Sequence, residues 1–211
     1  MTKQERGKII LKRLKNRYGK PKTALNWKTP WELLVATILA AQCTDVRVNQ
    51  VTPIFFAKWP DPLALTKAKL EDIEQVIRPT GFFKNKAKNL FNTAKELVKK
   101  YNGKVPNTME KLTALPGVGR KTANIILGNA FGIQAGIAVD THVKRLSFRL
   151  GLTKQTEPNK IEQDLIKIFP QSEWSNVNHL LVYLGRDICK ARKPACELCP
   201  LNDICDKNIQ K

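Results

Sequence analysis

The sequence has no long apolar run. No stretch approaches the ~20 consecutive apolar residues that a helix needs to span a bilayer. The N-terminal residues Met1–Arg6 lack the apolar segment of a secretory signal. Cysteine is also scarce, and its count of five is odd, which does not suit the paired disulfides of a small secreted domain. These absences exclude a membrane-spanning protein and a disulfide-stapled domain, and they predict a soluble, intracellular protein.

Acidic residues are much rarer than basic ones. The 211 residues include 18 Asp and Glu against 37 Lys and Arg, which gives a net charge of +19. A solvated surface does not need such an excess for solubility. The charge therefore predicts a polyanionic partner that is bound more weakly as salt rises. Nucleic acid is the favoured partner, and an anionic membrane surface is the alternative.

Strand patterns are missing as well. No segment alternates apolar and polar residues, and we find no internal repeat and no low-complexity tract. Apolar residues instead recur at helical spacing, as in residues 84–101, where Ala87, Leu90 and Ala94 share one face. The lysines of that helix are expected to face solvent. The sequence therefore predicts an all-α protein.

A glycine turn lies in the middle of the chain. Gly117 and Gly119 flank a single residue, and this arrangement indicates a tight turn because glycine reaches backbone angles closed to other residues. A helical apolar pattern follows from Arg120 to Phe131. Unpaired N–H groups and the positive end of the helix dipole point out of such a helix start and can seat a phosphate. We therefore expect Gly117, Gly119 and Arg120 to contact DNA phosphates.

Two residues near this turn can carry chemistry. Lys121 lies in the first turn of the predicted helix, where an amine beside a bound phosphate backbone can attack a sugar carbon. Asp140 precedes another helical pattern that ends near Leu150. From the residues alone, a helix cap is the better-supported role for this aspartate.

Cysteines are concentrated near the C-terminus. Four of them lie within 17 residues. They are Cys189, Cys196, Cys199 and Cys205. Four thiolates at this spacing indicate a soft metal centre, either zinc or an iron–sulfur cluster. Three basic residues between the first two cysteines are expected to face phosphates: Lys190, Arg192 and Lys193. The fifth cysteine, Cys43, is interpreted as a small core residue.

The segments Leu115–Ala123 and Val139–His142, together with the four cysteines, resemble the helix-hairpin-helix DNA glycosylases, and the endonuclease III family most closely. The resemblance covers most of the chain. It implies a two-domain all-α fold, with a six-helix domain containing the hairpin at 22–133. Residues 1–21 and 134–211 would form the second domain, in which the four cysteines bind a 4Fe-4S cluster. Zinc is the alternative at this site.

The same resemblance implies a bifunctional DNA glycosylase and abasic-site lyase that excises oxidised pyrimidines in base excision repair. Lys121 would form a Schiff base with the sugar and permit β-elimination, and Asp140 would be the catalytic carboxylate. Gln42 matches the residue that fills the gap left by an extruded base. Phe82, in an exposed turn, is expected to be a wedge between bases, with Phe83 as the alternative.

Double-stranded DNA containing damaged bases or abasic sites is the expected partner of a monomeric, cytoplasmic and nucleoid-associated protein with no membrane partner. Three other functions stay open. A monofunctional mismatch or adenine-type glycosylase would lack a lysine at position 121, and a non-enzymatic DNA-binding protein would not need Lys121 together with Asp140. An electron-transfer protein with an iron–sulfur cluster is rarely so basic or so helical. His142 is expected to have a structural role, with contact to DNA as the alternative.

Overall fold

The computed structural model describes residues 1–209, and its regular structure in that range is entirely helical. The absence of strands from residues 1–209 confirms the all-α prediction. None of the helices in this range is long and apolar enough to cross a membrane. The α-helices are α1 (Lys3–Tyr18), α2 (Pro30–Leu39), α3 (Asp45–Lys58), α4 (Pro62–Thr66), α5 (Leu70–Ile77), α6 (Phe83–Tyr101), α7 (Met109–Thr113), α8 (Arg120–Phe131), α9 (Thr141–Arg149), α10 (Pro158–Ile168) and α11 (Trp174–Asp187). Short 3-10 helices are formed by Arg78–Thr80, Gln171–Glu173 and Cys196–Leu198.

The chain divides into two compact units. One, here called the hairpin unit, is Thr23–Ile133. The other, here called the cysteine unit, combines Met1–Lys22 with the chain from Gln134 onward. The six-helix domain expected at 22–133, and the cluster domain expected at 1–21 and 134–211, stay predictions of the domain organisation.

The hairpin unit is built around α2. This helix is apolar on nearly all sides, so it can be stable only when other helices surround it. It packs against α3, α6 and α8, and Leu33, Leu34 and Val35 are fully buried. Because α8 packs on this core through Ala123 and Ile126, its first turn has a fixed position within the unit.

The cysteine unit joins the N-terminal helix to the C-terminal segment. α1 packs against α10 and α11, and α9 packs against the same two helices. Ion pairs reinforce the connection at the surface: Arg6 with Asp206, Arg13 with Asp203, and Arg17 with Asp187. The core of this unit includes Leu14, Val143 and Leu184. The core that contains α9 therefore combines residues from the N-terminal and C-terminal parts of the chain.

The glycine turn between α7 and α8 differs in part from the expectation. Gly117 has φ +74°, and a Cβ there would lie 2.8 Å from Nδ2 of Asn89, so both conformation and packing require glycine. Gly119, by contrast, has φ −88° and ψ 174°, an extended conformation open to any residue. A Cβ on Gly119 would meet no atom of residues 1–209 within 4 Å. The expectation that both glycines supply unusual backbone angles is therefore wrong for Gly119, and nothing in the fold requires glycine there.

This difference predicts unequal effects of one substitution at the two glycines. Gly117→Ala should lower the free energy of unfolding by about 1–3 kcal/mol, from the left-handed backbone and the collision with Asn89. Gly119→Ala should change it by less than about 1 kcal/mol, since a weaker cap and a less flexible unfolded chain nearly offset each other. Thermal unfolding followed by circular dichroism measures both. Equal destabilisation would contradict the structural distinction.

Candidate active site

Lys121 projects from the first turn of α8 and is exposed. The N-cap of this helix is Gly119, and no side chain among residues 1–209 makes a capping hydrogen bond there. The N–H groups of an uncapped first turn remain available to an anion, and the helix dipole favours one. The hairpin unit therefore places the Lys121 amine in the same helical turn as these N–H groups, and a phosphate bound there stays a prediction.

Asp140 is half-buried and is the N-cap of α9. Its Oδ1 accepts a hydrogen bond of 2.8 Å from the backbone N–H of Val143. A carboxylate has two oxygens, and the cap uses one of them. The cap role that the residues alone favoured is thus present, and it leaves the carboxylate chemistry compatible with a second role.

The negative charge of Asp140 acts on both histidines of the chain. Burial lowers the pKa of His142 and of His179, and the charge of Asp140 acts in the opposite direction. His142 packs so closely on α11 that a Cβ on Gly185 would lie 2.6 Å from its Nδ1. This packing agrees with the structural role expected for His142.

The four C-terminal cysteines line one cavity, together with apolar side chains such as Leu184 and Ile188. No three His, Cys, Asp or Glu side chains in residues 1–209 are grouped so that they could hold a single metal ion. All four thiols line this same cavity, so they can share one inorganic group. Burial raises the pKa of the Cys199 and Cys205 thiols, so binding a soft metal group must displace their protons. The donor set and the cavity therefore fit an iron–sulfur cluster.

Two arginines of α9 hold the backbone of the cysteine loop. The buried Arg149 donates hydrogen bonds to the carbonyls of Lys190 at 2.8 Å and Ala191 at 2.9 Å. It also donates to Sγ of Cys189 at 3.3 Å. Arg145 donates to the carbonyl of Cys189 at 2.9 Å.

The sequence reasoning missed both arginines. The available signal was their spacing of four residues, which places both on the face of α9 that carries buried Leu146. This signal does not identify their partners, because the carbonyls that they bind lie about forty positions further along the chain. The hydrogen bonds from the two arginines fix the backbone of the cysteine loop. Its three predicted DNA contacts, Lys190, Arg192 and Lys193, all have exposed side chains.

The two residues predicted to enter the base stack lie at exposed turns of the hairpin unit. Gln42 follows the end of α2 and has φ 53°, and Phe82 precedes α6 and has φ 48°. The Phe82 side chain is 63% exposed, whereas Phe83 is half-buried with Arg78 stacked on its ring. Positive φ is uncommon outside glycine and is a pronounced outlier for a bulky residue. Such strain persists where the surroundings fix it, often at functional sites.

One expectation for this region is wrong. The periodicity of α6 predicts solvent-facing lysines, but Lys86 is only 5% exposed and donates hydrogen bonds to backbone carbonyls. Its position beside Ala87 and Leu90 places it at the edge of the buried face. Its ammonium can be buried because those carbonyls replace water, and one of them comes from residue 39, far from α6 in sequence.

Comparison with known proteins gives the family. Residues 35–171 match the HhH-GPD superfamily of base excision DNA repair proteins, and residues 189–205 match the iron-sulfur binding domain of endonuclease III. Endonuclease III of Synechocystis sp. is 52% identical over 204 residues, which cover 97% of this chain and 93% of that protein. The cofactor of the cysteine loop is accordingly a 4Fe-4S cluster.

Solved structures agree with the sequence matches. A non-covalent endonuclease III–DNA complex has a TM-score of 0.93 and 42% identity, covering 98% of this chain and 96% of that one. A trapped covalent intermediate of endonuclease III with DNA, an estranged-adenine complex, also has a TM-score of 0.93 and 42% identity and covers 98% and 97%. With the family matches and the helical architecture, these similarities identify the chain as a member of the endonuclease III family of HhH-GPD base excision repair proteins.

Proposed function

We infer that this chain is a bifunctional DNA glycosylase and abasic-site lyase that removes oxidised pyrimidines in base excision repair. The observation that carries the assignment is Lys121, an exposed amine in the uncapped first turn of α8. A monofunctional glycosylase activates water and does not need a lysine at this position. The similarity to an endonuclease III trapped covalently on DNA supports the same chemistry here.

In the proposed reaction the Nζ amine of Lys121 attacks the sugar carbon that bears the damaged base. The glycosidic C–N bond breaks as the new C–N bond forms, and the base leaves with the bonding electrons and takes up a proton. The sugar ring then opens to a Schiff base between the lysine and the sugar carbon. Loss of a proton from the adjacent carbon expels the 3′ phosphate by β-elimination and cuts the strand on that side.

Asp140 is assigned as the catalytic carboxylate. A negative charge stabilises the positive charge that develops on the sugar as the base leaves, and a carboxylate can also assist proton transfer. Its cap bond to Val143 fixes one oxygen at the start of α9, which pre-orients the group before substrate binds. The same residue therefore contributes to folding and to chemistry.

The proposed DNA contacts use backbone at the hairpin and side chains at the turns. Neither the backbone conformation nor the packing of the described residues requires glycine at position 119. The open space at its Cα allows a phosphate to approach the N–H groups of α8. Gly117 shapes that turn, and Arg120 lies in the first turn of the helix.

Chemistry on a base requires the nucleotide to leave the stack. Gln42 would fill the resulting gap, and Phe82 would wedge the neighbouring bases apart.

The cluster has a structural role in this proposal. When bound, it ties the four cysteines together and fixes the loop whose basic residues face the DNA backbone. The protein acts as a monomer on double-stranded DNA that contains damaged bases or abasic sites. Its place in the cell is the cytoplasm, in association with the nucleoid.

Borohydride trapping on duplex DNA containing an oxidised pyrimidine tests the proposed function directly, because it reduces the Schiff base to a stable amine. The wild-type protein should be trapped on damaged duplex and not on undamaged duplex. Lys121→Gln should abolish trapping and strand cleavage while DNA binding stays nearly unchanged.

Lys111→Gln is the matched control for this test. It removes another exposed lysine from the hairpin unit, four residues before Leu115, and it should be trapped at the wild-type rate. A Lys121→Gln protein that is still trapped at the wild-type rate would overturn the assignment of the nucleophile. Wild-type binding with no trapping on any damaged duplex would instead indicate a non-enzymatic DNA-binding protein.

Asp140→Asn should slow base removal by about 10²–10⁴-fold, the range for a lost acid–base group. The fold should be kept because asparagine also caps helices. Asp61→Asn is the control, since Asp61 caps α4 through an equivalent bond of 2.7 Å to the N–H of Ala64. Single-turnover rates of base release distinguish the two. A normal rate for Asp140→Asn would mean that Asp140 is only a cap.

Replacing Lys190, Arg192 and Lys193 together with Gln should flatten the salt dependence of binding to undamaged duplex. For every phosphate that the protein no longer neutralises, the slope of log affinity against log salt falls by about 0.9. Glutamine at position 193 keeps a side chain where φ is already 52°, so the backbone strain is unchanged. Changing three exposed lysines near α10, Lys154, Lys160 and Lys167, removes the same charge as a control. If both triple variants give the same slope, the cysteine loop does not contact DNA.

A further inference from the structure

The buried side chain of Lys86 joins the two turns that carry Gln42 and Phe82. Its Nζ donates a hydrogen bond of 2.8 Å to the carbonyl of Leu39 and another of 2.8 Å to the carbonyl of Thr80. Leu39 is the last residue of α2, three positions before Gln42, and Thr80 is two positions before Phe82. One ammonium group therefore fixes the backbone just before each of the two turns.

The carbonyls that accept these bonds explain why a cation is stable there. Leu39 ends α2 and Thr80 ends the 3-10 helix Arg78–Thr80, so both carbonyls belong to helix ends that lack an intrahelical partner. The negative end of each helix also favours a positive charge. Burial lowers the pKa of Lys86, while its electrostatic interaction with Cys43 raises it.

The two turns need an external restraint. Gln42 and Phe82 both have positive φ, which a side chain with a Cβ adopts at a cost. Phe82 is the N-cap of α6 and makes no capping bond with its side chain, although its carbonyl accepts the N–H of Lys86 at 3.1 Å. Lys86 thus contacts the Phe82 turn through its backbone and through its side chain, and it reaches the Gln42 turn through Leu39.

We propose that Lys86 is a positioning residue that holds Gln42 and Phe82 in one fixed relation, so that gap filling and wedging occur as a single event. The proposal rests on the proposed role of these two residues in opening the duplex. Lys86 itself touches no DNA, because its side chain is enclosed in the hairpin unit. Its contribution is to extrusion of the nucleotide and not to the reaction of Lys121.

The test compares two substrates. Lys86→Met keeps an unbranched side chain that is one atom shorter and removes the ammonium, so the two carbonyls lose their shared donor. Base removal from duplex containing an oxidised pyrimidine should slow by roughly 10- to 100-fold, as expected for misplaced groups. Strand cleavage at a preformed abasic site, where extrusion is easier, should slow far less. A fluorescent base analogue beside the lesion should report slower opening. Lys99→Met, at the exposed end of α6, is the control and should match wild type.

Combination with Gln42→Ala and Phe82→Ala separates positioning from general damage. These two changes together should produce the same selective loss, and adding Lys86→Met to them should have little further effect. An additive loss, or equal losses on both substrates, would overturn the role of Lys86. Normal base removal by the Gln42→Ala, Phe82→Ala protein would instead refute the wedge assignment in the proposed function, and the role of Lys86 with it.

A second variant covers a folding failure. Thermal unfolding and the visible absorbance of the cluster show whether Lys86→Met is folded. If it is not, Lys86→Gln is shorter and uncharged, so it weakens the hydrogen bonds to both carbonyls while it keeps a polar side chain. The same selective loss of base removal is expected. Wild-type rates on both substrates for a folded Lys86→Gln protein would contradict the proposal.

Discussion

This structure depends on how the unpaired backbone groups at the ends of its helices find hydrogen-bond partners. A chain without strands in its described part has many helix ends, and each leaves backbone N–H or carbonyl groups without a partner inside the helix. The residues assigned to function lie at these ends. Lys121 follows the uncapped start of α8, Asp140 caps α9, and the first cysteine of the cluster loop follows α11.

Different helix ends meet the constraint in different ways. At α9 the carboxylate of Asp140 accepts a hydrogen bond from one N–H, and under the proposed function its charge also serves catalysis. At α2 and at the 3-10 helix before Phe82, a buried ammonium takes carbonyls from both. At α11 the following loop is satisfied by the guanidinium groups of Arg145 and Arg149. At α8 no side chain caps the first turn, and that end is the one assigned to DNA phosphate.

Much of the fold could be predicted from the sequence because its signals are local. Helical periodicity and capping residues indicate the bounds of α8 and the start of α9, and the family motifs indicate the cysteine ligands. The features that could not be predicted depend on distant partners. Lys86 looks like one of several solvent-facing lysines until Leu39 and Thr80 are placed around it. Arg149 is similar, because its partners are the carbonyls of a loop about forty residues away. The conformation of Gly119 also differs from its prediction, since a glycine in a turn motif does not by itself imply a positive φ.

The extended backbone at Gly119 has a consequence for how this chain could be altered. Any procedure that ranks residues only by the stability of the isolated protein would accept a side chain at this position, because no atom in the described part of the chain would collide with it. Under the proposed function, the atom that opposes it belongs to the nucleic acid. One substitution at position 119 can therefore leave thermal stability unchanged while it weakens DNA binding. A variant selected only for heat resistance would then bind DNA poorly without any change in its fold.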